Sequence, residues 1–125
     1  AKEKGRTGIA EYTHSKAVEY REAAAVTAVV LWQAFDANEV AAEDKYKGKS
    51  IFVTGKIRSI TTDPAGYPVV ALDAGKSGFA TVSCVFPKDA RSTIAVLKKG
   101  QQVLIPGTCD GMILRQVFVK DCKVE

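Results

Sequence analysis

Cys84, Cys109, Cys122 and the single histidine, His14, have the widest chemical range of any residues in this 125-residue chain. Three cysteines without a short C-x-x-C pair, together with one histidine, do not make a zinc site, and no metal is implied. A catalytic thiol needs a base, and His14 lies far along the chain in a polar N-terminal stretch. Asp63, Asp73, Asp89, Asp110 and Asp121 fall at expected turns or strand ends, where a carboxylate caps backbone amides rather than forming an acid–base pair. The glycines form neither G-x-x-x-x-G-K-S/T nor G-x-G-x-x-G, so no phosphate cradle is encoded. The expectation is a binding module, not an enzyme, that needs no cofactor. Its chemistry lies in cations, aromatic rings and a thiol pair.

Those groups must be positioned by one small domain of 13.4 kDa, with 46% apolar and 26% charged residues and a mean hydropathy of −0.02. Eighteen basic against fourteen acidic side chains leave +4. The excess falls entirely after Ser50, a bias compatible with weak attraction to a polyanion. The longest dense apolar run, Ala23 to Trp32, is well short of the roughly 18 residues that a membrane span requires. A first residue other than Met reads as processing or trimming upstream.

Residues 1–14 read as a flexible tether. Residues 15–46 read as a helical arm, with Ser15 as N-cap and a stripe of Val18, Ala25, Val29 and Trp32. Val26 and Val30 fall on the back of that helix and make a candidate surface for self-association or for a protein partner. Asp36 and Glu39 fit the cap of a second helix, Ala37 to Tyr46.

From residue 49 to 125 the period changes to two. Strands are expected at Ser50–Ile60, Pro68–Asp73 and Phe79–Phe86, then a helix at Ala90–Lys98, then strands at Gln102–Cys109 and Leu114–Val124 around a turn at Asp110–Gly111. Gly55 marks a bend that lets the first strand serve both halves of a small barrel. The order βββαββ predicts a mainly β chain with helices, folded as a five-stranded OB-fold Greek-key barrel behind the helical arm.

The residues themselves carry a resemblance. Asn38, Tyr46-Lys47-Gly48-Lys49, Val53-Thr54-Gly55-Lys56-Ile57, Lys99-Gly100-Gln101 with Val103, Gly107-Thr108-Cys109 and Val119-Lys120-Asp121-Cys122 resemble the tRNA-anti-like family of bacterial OB domains. The resemblance covers about Ala34 to Val124 and implies a nucleic-acid-binding lipoprotein. It further implies an exported location on the periplasmic side of the bacterial envelope, with a lipid anchor lost upstream of residue 1.

An OB-fold grips single strands with aromatic rings on its second and third strands and with cations along the groove. The candidates are Lys56, Arg58, Lys76, Arg115 and Lys120 for phosphates, with Tyr67 and Phe79 for bases. Phe79 and Phe86 have odd spacing and do not share a face, so either can instead be a core side chain. The cations read equally as an ordinary solvated surface. In this topology Cys84 and Cys122 sit late in neighbouring parallel strands, which makes them the candidate disulfide of an exported chain; three buried thiols are the other reading. Two rivals stand beside nucleic acid. One is an adaptor that docks an envelope protein, and the other is capture of a small ligand or oligosaccharide by Tyr67, Asp63 and Asp110 at the barrel mouth.

Overall fold

Thr27 is the point at which the chain changes conformation. The computed structural model describes residues 24–75 and 78–123. In it Ala24–Thr27 form strand β1, and the Thr27 hydroxyl accepts the Val30 N–H at 3.1 Å to begin helix α1, Ala28–Ala37. The tether, the Ser15 cap and Lys76 lie outside the described residues.

The expected helix over Ala24–Thr27 is corrected to a strand paired in parallel with β2 (Ser50–Thr62), Ala24 opposite Ile51 and Thr27 opposite Thr54. Periodicity alone does not separate the two states for so short an apolar stretch, and the tertiary ladder decides. This also corrects the proposed Val26–Val30 seam. Val26 is 9% exposed and belongs to the core, whereas Val30, 50% exposed, lies beside the exposed Val29 on α1.

Helix α1 buries Ala28, Leu31, Trp32 and Phe35 and packs against β2 and three further strands described below. Helix α2, Glu39–Tyr46, is capped by Asn38, whose Oδ1 accepts the Ala41 N–H at 3.0 Å. The cap falls there and not at Asp36, because Asn38 is the residue with an extended backbone between the helices.

Strand β2 serves two neighbours, as its glycine suggested. Residues 50–56 pair antiparallel with β5 (Gln102–Ile113), and from Ile57 onward β2 pairs with β3 (Pro68–Asp73) across a bulge between Ile57 and Ser59. Gly55 stands at this handover. A Cβ on it would lie 3.2 Å from Ala28 Cβ and 3.3 Å from Leu72 Cβ, so the missing side chain lets α1 start against the sheet.

The sheet continues from β3 to β4 (Thr81–Val85), in parallel to β6 (Gln116–Lys120), then to β5 and back to β2, closing a ring. Six strands are present among the described residues rather than five, β1 being the addition. The expected helix after the β4 strand shrinks to a 3-10 turn at Lys88–Ala90 and one α-helical turn, α3, Arg91–Ile94.

The expected turn at Asp110–Gly111 is corrected too. Gly111, at φ +95°, takes up a bulge that lets β5 run on to Ile113, and the reversal occurs at Leu114–Arg115. A left-handed glycine serves a bulge as readily as a turn, so the dipeptide did not separate them.

Burial alternates along β3 and β6, and strand geometry carries the same two faces across β4, where Thr81 and Ser83 are buried as well. Val70 and Leu72 of β3, Val82 and Cys84 of β4, and Val117 and Val119 of β6 are fully buried in one cluster with Leu31, Phe35 and Phe86. Their neighbours Val69, Ala71, Thr81, Ser83, Gln116 and Phe118 therefore lie on the opposite face of the sheet.

Candidate ligand-binding groove

That outer face carries an open groove of about 350 Å³. Arg58, Ser59 and Thr61 of β2 line one side, and Val69, Ala71, Thr81, Ser83, Gln116 and Phe118 continue across β3, β4 and β6. Phe79 rises from the β3–β4 loop and Leu114 from the β5–β6 hairpin. The surface is small and hydroxylated in its middle, with three large apolar groups around it. Ser83 Oγ and Gln116 Oε1 are 3.3 Å apart within hydrogen-bonding geometry.

Asp73 and the Gly78 carbonyl are among the groups that hold Arg58. Its Nε lies 2.6 Å from Asp73 Oδ1, and its Nη1 donates to the Gly78 carbonyl at 2.7 Å. The second bond fastens the β3–β4 loop beside Phe79, which is 72% exposed. Arg58 thus contributes to the groove as a cation and as the residue that fixes the position of an exposed ring.

The hairpin opposite is strained. Leu114 and Arg115 have φ of +50° and +65°, and Ile113 pairs with Gln116 around them. Two-residue hairpins of this hand favour Asn-Gly; L-residues there cost about 1–2 kcal/mol each. The strain presents Leu114 at 88% exposure on the groove rim. It also turns Arg115 away, with its guanidinium 5.8 Å from the Trp32 ring centroid and 3.8 Å from Asp36 Oδ1. Trp32 Nε1 donates to the Arg115 carbonyl at 2.9 Å, a bond any residue at 115 retains. Leu114→Asn with Arg115→Gly is therefore expected to raise stability by about 1–2 kcal/mol in urea unfolding, since the exposed pair lost with Arg115 is worth about 0.5 kcal/mol.

Of the residues singled out from sequence, the structure brings Arg58 and Phe79 together. Lys56 lies apart in a shallow depression lined by Thr27, Val29 and Gln102, because it belongs to the half of β2 that pairs with β5. Tyr67 sits beyond the other end of the β3–β4 ladder, with Lys88 Nζ 5.2 Å from its ring centroid. The rungs from Val69–Val85 to Asp73–Thr81 span four steps, about 13 Å, so Tyr67 and Phe79 do not hold neighbouring bases. Arg115 is tied to α1, and Lys120 Nζ lies 3.5 Å from Asp110 Oδ1 on the hairpin. Phe86 is buried in the core and is no platform. Asp63 accepts the Ala65 and Tyr67 N–H groups at 3.0 and 2.9 Å, the turn role its position suggested. Phe118 and Leu114 were missed. The alternation Gln116-Val117-Phe118-Val119-Lys120 contained the signal for Phe118, since two inward valines force the ring outward.

The thiols are fully buried. Burial raises the Cys109 thiol above its ordinary value, and a hydrogen bond with Cys84, followed by burial, raises Cys122 far above its own. Neither is a nucleophile at neutral pH.

The family model described as tRNA_anti-like matches residues 4–123. The chain belongs to the tRNA_anti-like family. A solved structure of a putative nucleic acid-binding lipoprotein from Klebsiella pneumoniae subsp. pneumoniae MGH 78578 aligns over 91% of this chain and 99% of its own, at 21% identity and a TM-score of 0.69. The two share a fold. Two OBodies bound to hen egg-white lysozyme align over 64% of this chain and 81% and 84% of theirs, at 20% and 16% identity and TM-scores of 0.48 and 0.47. No curated protein matches the chain. Within the family segment, several residues behind the resemblance are scaffold: Gly55 admits α1, Asn38 caps α2, and Gly107 and Cys122 pack against each other under β6.

Proposed function

We propose that the closed sheet is an OB-fold barrel and that its outer face binds single-stranded nucleic acid without catalysis. The observation that carries this reading is Phe79 and Phe118 lining one groove with Arg58, an arrangement suited to stacking bases beside a backbone phosphate. The ligand class is supported by the family and by the name of the Klebsiella lipoprotein. The word lipoprotein in the same name supports an envelope location with a lipid anchor, and the periplasmic side is part of this proposal.

Arg58 is the cation that lines the groove among the described residues, so stacking supplies most of the affinity. Fluorescence anisotropy with labelled DNA and RNA single strands of about ten nucleotides tests this, at low and at physiological salt. The expected result is binding with a shallow salt slope, about −1 in log K against log salt, as for one or two phosphates on a single strand. No binding at low salt overturns the nucleic-acid reading and leaves the apolar rim of Ile113, Leu114 and Phe79 as a surface for a protein partner.

A further inference from the structure

The proposed binding face uses none of the three thiols, yet two of them are brought together. In β4, Cys84 lies opposite Val119 of β6. After β6 the chain bends at Asp121, at φ +52°, and returns Cys122 to the end of β4, where its N–H donates to the Val85 carbonyl at 3.1 Å. The Cys122 thiol donates at 3.4 Å to the carbonyl of Val119, the residue that Cys84 faces across the β4–β6 ladder. Both cysteines are at most 1% exposed.

The third thiol is kept apart from Cys84. Cys109 of β5 also pairs with Val119, from the other side of β6, so Cys84 and Cys109 are separated by two strand spacings, about 9.5 Å. A disulfide requires Cα atoms within about 7 Å. Gly107 completes the arrangement, since a Cβ on it would lie 2.9 Å from Cys122 Sγ. The space it leaves holds that sulfur against β4.

We propose that Cys84 and Cys122 form a disulfide as the chain folds in an oxidising compartment, fastening the segment after β6 to β4. The co-reactant is a disulfide, either low-molecular-weight or on a thiol oxidase. The two cysteine thiols give up two protons and two electrons, their S–S bond forms, the oxidant's S–S bond breaks, and two thiols are released from it. The bridge forms before the core closes, because neither sulfur is reachable afterwards. It then resists reductant for the same reason. Thirty-seven residues lie inside the closed loop, including all of β5 and β6, so the bridge restricts the unfolded chain strongly. Strand β6 also carries Phe118 and Gln116, so the bridge holds that wall of the groove against the β4 floor.

The test is refolding of the full chain from denaturant in a mixture of oxidised and reduced glutathione, followed by peptide mapping without reduction. The expected product weighs two hydrogen atoms less, contains a Cys84–Cys122 peptide and leaves Cys109 as a thiol. Its Tm lies about 10 °C above that of the reduced chain, and dithiothreitol removes the difference only when urea is present. Cys84→Ala and Cys122→Ala abolish the Tm difference; Cys109→Ala retains it. Three thiols in folded protein from the glutathione mixture, or a bridge containing Cys109, overturns the proposal. Should an alanine variant fail to fold, the wild-type peptide map decides by itself.

Discussion

Gly107→Ala is expected to destabilise the protein by about 3 kcal/mol, the upper end of the cost of forcing extra atoms into a packed interior. An added Cβ would meet Val119 Cγ1 at 2.6 Å, Cys122 Sγ at 2.9 Å and the Lys120 carbonyl oxygen at 3.0 Å. None of these is the free end of a flexible chain. Val119 is fully buried and stiff at χ1, Cys122 is bonded through its backbone to Val85, and the third atom is backbone. Relief therefore requires β5 and β6 to separate or the segment after β6 to leave its place. Urea unfolding of the reduced protein measures the effect. Gly78→Ala, where an added Cβ has nothing within 4 Å, is the control and is expected to change stability by less than about 0.5 kcal/mol. A loss below about 1 kcal/mol for Gly107→Ala would mean that the two strands part more easily than their packing indicates.

Gly107 illustrates what a sequence does and does not disclose. As part of Gly107-Thr108-Cys109 it was visible as one of the residues behind the family resemblance, but its function depends on Val119 and Cys122, which reach it only once β6 is in register. The same distinction runs through the fold. Alternation in Val53-Thr54-Gly55-Lys56-Ile57 located β2 and its bend, and the bounds of β3 were legible in full, because a period of two with flanking turn residues is local information. The strand at Ala24–Thr27 was not legible. Its apolar residues fit a helix equally well, and its state is decided by Ile51–Thr54, more than twenty positions away.

For the site, the deciding quantity was hairpin register. A turn at Asp110–Gly111 and one at Leu114–Arg115 assign different residues to the tip. With the reversal at 114–115, Leu114 becomes a rim residue, Arg115 is drawn onto Trp32, and Phe118 stands on the outer face beside Ser83. Since Leu114-Arg115 carries no turn chemistry, composition could not locate the reversal. Of the cations, Lys56 and Arg58 share a face by strand parity, but Arg58 is the residue left out of the ladder at the bulge between Ile57 and Ser59 and Lys56 belongs to the half of β2 that pairs with β5, so Arg58 lines the groove and Lys56 does not. Charge identity was readable in sequence, but whether two charges share a groove depends on bulges and register.

Replacing Phe79 and Phe118 together with alanine is expected to weaken single-strand binding by about two orders of magnitude, since a stacked base contributes about 1–3 kcal/mol. The two rings differ in how they are held. Phe79 is mostly exposed on a loop fastened by the Arg58–Gly78 hydrogen bond, whereas Phe118 is half-buried in the ladder opposite Ser83. Phe79→Ala should therefore affect affinity with little change in Tm, while Phe118→Ala should lower both, the stability cost being that of a surface strand residue at about 1 kcal/mol. Anisotropy titrations of the single variants and the double variant, below their melting temperatures, separate these effects. If the rings hold different bases of one strand, their losses add to within about 0.5 kcal/mol; coupling beyond that indicates one base shared between them. Tyr67→Ala gives the opposing expectation, because its ring lies at the far end of the β3–β4 ladder beneath Lys88. Unchanged binding in that variant and loss in the other two would assign the nucleic acid to the groove. The reverse pattern would move it along the sheet to the β2–β3 turn, where Asp63 and not Arg58 sets the local geometry.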